Sequence, residues 1–134
     1  MPYDAIIIGA GPAGLTAAIY CGRAMLKTLV LGDPYDAQVA KTDFIENYPG
    51  FPEGVRGVEL MERIASQARI YAENITEKVE SIRRKNRLFS VVTPSAEYSG
   101  RTMIICTGAT HREIGVPGER EFANKGVSYC AVCD

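Results

Sequence analysis

Tyr3-Asp4-Ala5-Ile6-Ile7-Ile8-Gly9-Ala10-Gly11-Pro12-Ala13-Gly14 decides the fold. Tyr3–Ile8 is a continuous apolar run interrupted only by Asp4, the pattern of a parallel strand buried on both faces. Gly9, Gly11 and Gly14 then fit G-x-G-x-x-G. That spacing alone is weak. It gains specificity here because it follows a strand and opens the helix-forming run Ala13–Ala24. Thr28–Leu31 is a second apolar run, and strand, glycine turn, helix, strand is a βαβ unit. In such a unit the first glycine permits the tight turn, the second lets backbone approach a pyrophosphate, and the third lets helix pack close to strand. The free N–H groups and positive dipole end of the first helix turn favour phosphate. The turn is read as binding the ADP half of a dinucleotide, FAD before others, through Gly9, Gly11, Pro12, Ala13 and Gly14. A ribose-binding acid is expected about 20 residues on. Gly32 stands at the end of the second strand, and Asp33 follows as the candidate.

Outward from this unit, Asp33–Gly57 is rich in proline and glycine and is expected to be a functional loop. Val58, Met61, Ile64, Ala65, Ala68, Ala72 and Ile75 recur at helical spacing, which predicts one helix over 58–75. Glu77–Ile82, Leu88–Val92 and Ala96–Ser99 read as a small antiparallel meander, broken at Lys85–Arg87 and at Pro94-Ser95. The run Arg83, Arg84, Lys85, Arg87 about Asn86 reads as a solvated hairpin turn. Thr102–Cys106 is expected to return to the parallel sheet, and 108–126 to be a connector. The fold class expected is α/β: a Rossmann-like domain with a central parallel sheet, flanking helices and the meander.

The 134 residues suit one ordinary domain, with 46% hydrophobic and 23% charged residues, enough for a core. A formal net charge of −1 offers no attraction to nucleic acid or an anionic membrane, and neither is expected as a partner. The apolar stretch Ala5–Ile8 is far too short for a membrane span. Four cysteines and no export-signal pattern lead to the expectation of a cytoplasmic protein, where disulfides are usually transient and catalytic.

Cys130-Ala131-Val132-Cys133 is a C-x-x-C pair followed by Asp134. One reading is half of a zinc site, but zinc needs four ligands. Cys21 falls on the first helix, Cys106 in a core strand, and His111 in a loop, so no second pair exists and no metal is expected. The other reading is a redox dithiol, which C-x-x-C suggests near a βαβ pattern. Cys21 and Cys106 read as buried small hydrophobes.

These residues together resemble the low-molecular-weight thioredoxin reductases over nearly the whole chain. The resemblance rests on Gly9–Gly14 with Ala17, Ala18 and Arg23, and on Gln38. It extends through Glu46-Asn47-Tyr48-Pro49-Gly50-Phe51 and Cys106-Thr107-Gly108-Ala109. Its most specific part is Gly126-Val127-Ser128-Tyr129-Cys130-Ala131-Val132-Cys133-Asp134. It implies an FAD domain over 1–114, with 115–134 as connector and start of an NADPH domain carrying the dithiol. The chain would be an amino-terminal fragment, inactive alone, of a homodimeric enzyme. Gln38, Asn47, Thr107 and Gly108 would join the glycine turn and Asp33 around FAD. Electrons would pass from NADPH through FAD to Cys130–Cys133 and on to thioredoxin or a similar small disulfide protein, with Asp134 as the acid–base group. The sequence departs from the family in the flavin loop: Asp36-Ala37 precede Gln38 where Gly-Gly is usual, and the loop is about one residue short. Alternatives are a related flavoprotein with another acceptor, such as a peroxiredoxin reductase or dithiol oxidase, and a non-catalytic FAD-binding fragment.

Overall fold

A computed structural model describes residues 1–123 and 125–129. The described residues form one mixed six-stranded sheet with two helices packed on one face. Four strands run parallel: β1 (Tyr3–Ile8), β2 (Thr28–Leu31), β3 (Glu73–Ile75) and the second half of β6 (Glu97–Ile105). β4 (Ser81–Lys85) and β5 (Leu88–Val92) complete the order β3-β2-β1-β6-β5-β4, antiparallel to each other and to the first half of β6. The βαβ unit falls where the sequence places it, with α1 spanning Pro12–Arg23.

β1 and β2 are buried on both faces, as continuous apolar runs require. Ile7 and Val30 face α1 and α2, where Leu15, Ala18, Met61, Ala65 and Ala68 close the core. Ile6, Ile8, Leu29 and Leu31 face the other way and are closed by Val91, Tyr98, Val79 and Met103 from the meander and β6. The meander thus curls over the face that carries no helix. Gly100 sits at the bend: it pairs with Tyr3 of β1 on one side and Phe89 of β5 on the other. A Cβ on Gly100 would lie 2.7 Å from Ile6 Cγ1.

Proline at the first helical position starts α1. Met25 ends it in the left-handed region, φ 62°, with Met25 N–H donating to Gly22 O and Leu26 N–H to Cys21 O. That is a Schellman closure in which methionine stands where glycine is usual.

Three sequence expectations are corrected. The helix expected over 58–75 is α2, Gly57–Arg69, and Glu73–Ile75 is strand β3 beside β2. Ala72 and Ile75 continue the helical spacing by coincidence, because they pack against opposite faces of the sheet, as no single helix face does. Asn74 holds the strand in place by donating Nδ2 to the carbonyls of Val30 (3.3 Å) and Gly32 (3.1 Å). The meander and the returning strand are not separate, since β6 is one nine-residue strand that serves both. The segment 33–57 is a loop as expected, with local order from two 3₁₀ turns, Pro34–Asp36 and Gln38–Lys41, and an Ile45–Val55 bridge. The first meander strand, expected over Glu77–Ile82, is β4 at Ser81–Lys85, so Arg83, Arg84 and Lys85 lie in a strand paired with β5 and only Asn86, φ 60°, and Arg87 make the exposed hairpin turn.

Candidate functional site

Three segments meet at the carboxyl ends of the parallel strands. The glycine turn leaves β1, the 33–38 segment leaves β2, and Cys106-Thr107-Gly108 leaves β6. β2 and β6 flank β1 on opposite sides. A crevice between connections that depart to either side of a strand is where open α/β sheets bind ligands. Backbone bonds lock its floor: Gly9 N–H donates to Leu31 O (2.8 Å), Cys106 N–H to Ile8 O (2.7 Å) and Gly32 N–H to Ile75 O (3.0 Å).

The three glycines of the turn answer to different neighbours. Gly9 adopts φ 107°, and a Cβ there would lie 2.1 Å from the Cys106 carbonyl oxygen. A Cβ on Gly14 would lie 1.9 Å from the Gly9 carbonyl oxygen. Both are demanded by the chain's own backbone. Gly11 is not: it caps α1 in extended backbone, and the nearest atom to a Cβ would be Ala37 Cβ at an ordinary 3.7 Å. Among the described residues no other atom outside its chain neighbours and its own helix lies within 4 Å of that position. At the same helix end Ala13 and Gly14 carry N–H groups without intrahelical partners, and Pro12 has none to leave unpaired. Room at Gly11 beside two free donors suits a pyrophosphate.

Asp33 caps the first 3₁₀ turn, its Oδ1 accepting from Tyr35 N–H at 2.9 Å. Its second carboxylate oxygen makes no hydrogen bond within the described residues. Gln38 Nε2 donates to Ala109 O at 3.2 Å, drawing the 33–38 segment to the segment that leaves β6. Gly108 is left-handed, φ 67°, with nothing within 4 Å of a Cβ. Thr107 is exposed beside it. Ala37 takes an ordinary φ of −62°, so the loop's shape does not require glycine there. Asp36 faces Lys78 at 3.7 Å. Asn47 lies apart, exposed in the loop before the Val55 bridge, and no described contact draws it to the turn.

Cys130, Cys133 and Asp134 lie outside the described residues. Cys106 is half-buried against the helical core and backs the glycine turn, whereas Cys21 is half-buried on α1. His111, a loop residue as expected, stacks on Tyr129 with ring centroids 3.8 Å apart.

Residues 3–134 match the pyridine nucleotide-disulphide oxidoreductases as a family. The chain belongs to that family. Among its relatives, the thioredoxin reductase of Bacillus subtilis is 47% identical over 98% of this chain and 42% of its own length. Two solved structures agree. The thioredoxin reductase of Giardia duodenalis has a TM-score of 0.89 at 43% identity, and that of Streptococcus pyogenes 0.88 at 42%. Both comparisons cover 98% of this chain and 44% of the other. The chain therefore spans under half the length of these oxidoreductases. Among the described residues no helix is long and apolar enough to cross a membrane.

One feature of this family member had no signal in its sequence. Glu119, in the turn-rich segment after the sheet, is buried and receives three donors: Ile114 N–H (2.8 Å), Gly115 N–H (2.6 Å) and the Tyr129 hydroxyl (2.6 Å). Tyr129 first, then the backbone of Ile114, pull its carboxyl down to about 2, and the same contact pushes Tyr129 up to about 12. A lone glutamate after Pro117-Gly118 reads as solvated, and only the fold reveals the donors around it.

Proposed function

We propose that this chain is the FAD-binding part of a disulfide reductase of the thioredoxin reductase type. Residues 1–114 form the FAD unit, and 115–134 form the connector and start of an NADPH domain. The observation that carries the reading is the asymmetry of the glycine turn: Gly9 and Gly14 are required by protein backbone, whereas Gly11 keeps clear a space bordered by free N–H groups. Its relatives are thioredoxin reductases, which supports the reaction class.

In this reading Ala13 and Gly14 hold the pyrophosphate by backbone N–H. Asp33 offers its second carboxylate oxygen to the ribose, and Gln38, Thr107 and Gly108 border the flavin side, which Asn47 would have to reach from its exposed loop. Bound FAD supplies acceptance of hydride from NADPH and delivery of an electron pair to the Cys130–Cys133 disulfide. The reduced pair then does the protein chemistry. Cys130 thiolate attacks a disulfide of thioredoxin or a similar small protein, the substrate S–S bond breaks, and Asp134 protonates the departing thiolate. Cys133 attacks Cys130 sulfur, releasing the second substrate thiol and restoring the Cys130–Cys133 bond. The intact protein works as a cytoplasmic homodimer.

Thiol counting tests the dithiol. Of the four cysteines, two fewer should react with a thiol reagent before mild reductant than after, and Cys133→Ser should abolish the difference. Equal counts in the unmodified chain would remove the redox reading, as would a stoichiometric zinc ion protecting the thiols.

A further inference from the structure

The loop that leaves β2 carries a charge where the low-molecular-weight thioredoxin reductases usually carry none, with Asp36-Ala37 before Gln38 in place of Gly-Gly. Asp36 closes the 3₁₀ turn that Asp33 caps. Ala37 is the neighbour of the phosphate space: its Cβ lies 3.7 Å from where a Cβ on Gly11 would be. Asp36 is bonded to Ala37, with Cα atoms about 3.8 Å apart. These links put the Asp36 carboxylate on the order of 10 Å from the space beside Gly11, about one Debye length at 0.1 M salt. An unopposed carboxylate at that range works against a bound pyrophosphate. Here it is opposed, because Lys78 Nζ lies 3.7 Å from Asp36 Oδ2. Lys78 comes from the segment leaving β3, which ends on the same side of the sheet as the glycine turn. Glu77 beside it accepts from the Ser95 hydroxyl at 2.6 Å instead. Neither Asp36 nor Lys78 has another ion-pair partner among the described residues. Their side chains are 59% and 88% exposed, so the pair contributes little to folding. Its effect is to be sought in the charge it presents to a ligand.

We propose that Asp36 and Lys78 are a charge-balancing pair for the phosphate site: Asp36 occupies a cation that would otherwise face the pyrophosphate, and Lys78 offsets a carboxylate that would otherwise repel it. This deepens the FAD-binding reading and rests on it. The two residues act on the ligand with opposite sign, although they belong to one ion pair. Removing the carboxylate frees Lys78 Nζ, whose flexible stem lets the ammonium turn toward the phosphates. Removing the ammonium leaves Asp36 unopposed. A strap that merely tied the β2 loop to the β3 segment would be cut equally from either end, and both substitutions would then weaken binding.

The test titrates the 134-residue chain by calorimetry with ADP, which carries the phosphates without the flavin, at low and at high salt. At about 10 mM salt Asp36→Asn should tighten ADP about threefold and Lys78→Gln weaken it about threefold, the scale of one charge acting on a phosphate group of two or three charges at about 10 Å. The double variant, neutral like the wild-type pair, should fall between the two and close to wild type. At about 500 mM salt, where the Debye length is about 4 Å, the differences should vanish. Adenosine, which keeps base and ribose but has no phosphate, should bind all four chains alike, and their melting should coincide. Weaker ADP binding in both single variants assigns the pair to a strap and overturns the proposal, as does unchanged binding in both; the FAD-binding reading stands in either case. A wild-type chain that binds no ADP, or binds it equally well after Gly11→Val, overturns the reading and the proposal together.

Discussion

Gly11→Val separates ligand binding from folding, and the structure sets the size of each effect. Gly11 is the helix cap with φ −75° and ψ −176°, backbone that valine adopts freely, and it makes no side-chain cap bond to lose. With its nearest neighbour at 3.7 Å, the first added carbon meets ordinary contact. The expected loss of stability is the difference between a good and a poor cap residue, about 0.5 to 1 kcal/mol. That corresponds to a fall in Tm of roughly 2 to 5 °C for a domain of this size. The valine methyls, however, fill the space beside the Ala13 and Gly14 N–H groups. Two charge-assisted bonds to phosphate, at about 1.5 to 3 kcal/mol each, would be lost, which is about a hundredfold or more in FAD affinity.

Gly14→Ala is the counterpart. Its Cβ would meet Gly9 carbonyl oxygen at 1.9 Å and Ile7 Cγ2 at 3.3 Å, so helix and strand must separate. The expected cost is more than about 3 kcal/mol. The assay is flavin fluorescence anisotropy with added FAD, alongside a thermal melt of each sample. Gly11→Val should melt near wild type and fail to bind, and Gly14→Ala should fail in the melt itself. A Gly11→Val chain that binds FAD within about threefold of wild type would refute the assignment of that space to the pyrophosphate.

Other outcomes follow from the same geometry. Glu119 is pulled from the ordinary 4.5 to about 2 by Tyr129 and the backbone of Ile114, so its clamp is fully present above the unfolded carboxyl value and fades as pH falls toward 2. Carboxyl NMR should show its midpoint near 2, with Glu113 and Arg120 as the charged neighbours, and an ordinary midpoint would show that the donors are not engaged. Gly100→Ala would press Cβ to 2.7 Å from Ile6 Cγ1 in the core, and should lower stability by about 1 to 3 kcal/mol in a denaturant titration; an unchanged midpoint would show that the bend is slack. The chain supplied with FAD and NADPH should reduce no disulfide above the free-flavin background, because its sequence carries one G-x-G-x-x-G turn and its described residues form one nucleotide-type sheet; turnover would contradict the division of labour proposed for 1–134.

The βαβ unit was legible because each local signal agreed with its neighbours. The apolar run, the glycine spacing, the proline at the helix start and the second strand all point one way, and their bounds fall at Tyr3–Ile8 and Thr28–Leu31 as read. The failures share a cause. Ala72 and Ile75 extend a helical period, yet β2 offers an open edge to pair with Glu73–Ile75, and the period is silent about that partner. Pro94-Ser95 correctly marks a turn, but nothing local shows that Glu97–Ile105 continues through Gly100 into a second set of pairings. Glu119 is invisible for the same reason, since Tyr129 lies ten residues away and only the folded segment brings them together. The apolar runs show that both sheet faces are buried but not by what: Val91 and Tyr98 of the curled meander close the side away from the helices over Ile6 and Leu29.

The glycine turn carries less about ligand than its three glycines suggest. A domain that bound nothing would still need Gly9 and Gly14, because the Cys106 and Gly9 carbonyls occupy the places their Cβ atoms would take. Those two positions report the close crossing of α1, β1 and the segment leaving β6. They would persist in any chain with this packing, whatever its chemistry. Functional information is concentrated at positions where the fold tolerates a side chain and none is present. Gly11 is one, with only Ala37 in reach. Gly108 is half of another: its space is empty, but its left-handed backbone independently favours glycine. The weight of the binding argument therefore falls on Gly11, and that of the redox argument on the C-x-x-C pair. Losing either one should abolish its own function while leaving the other measurable.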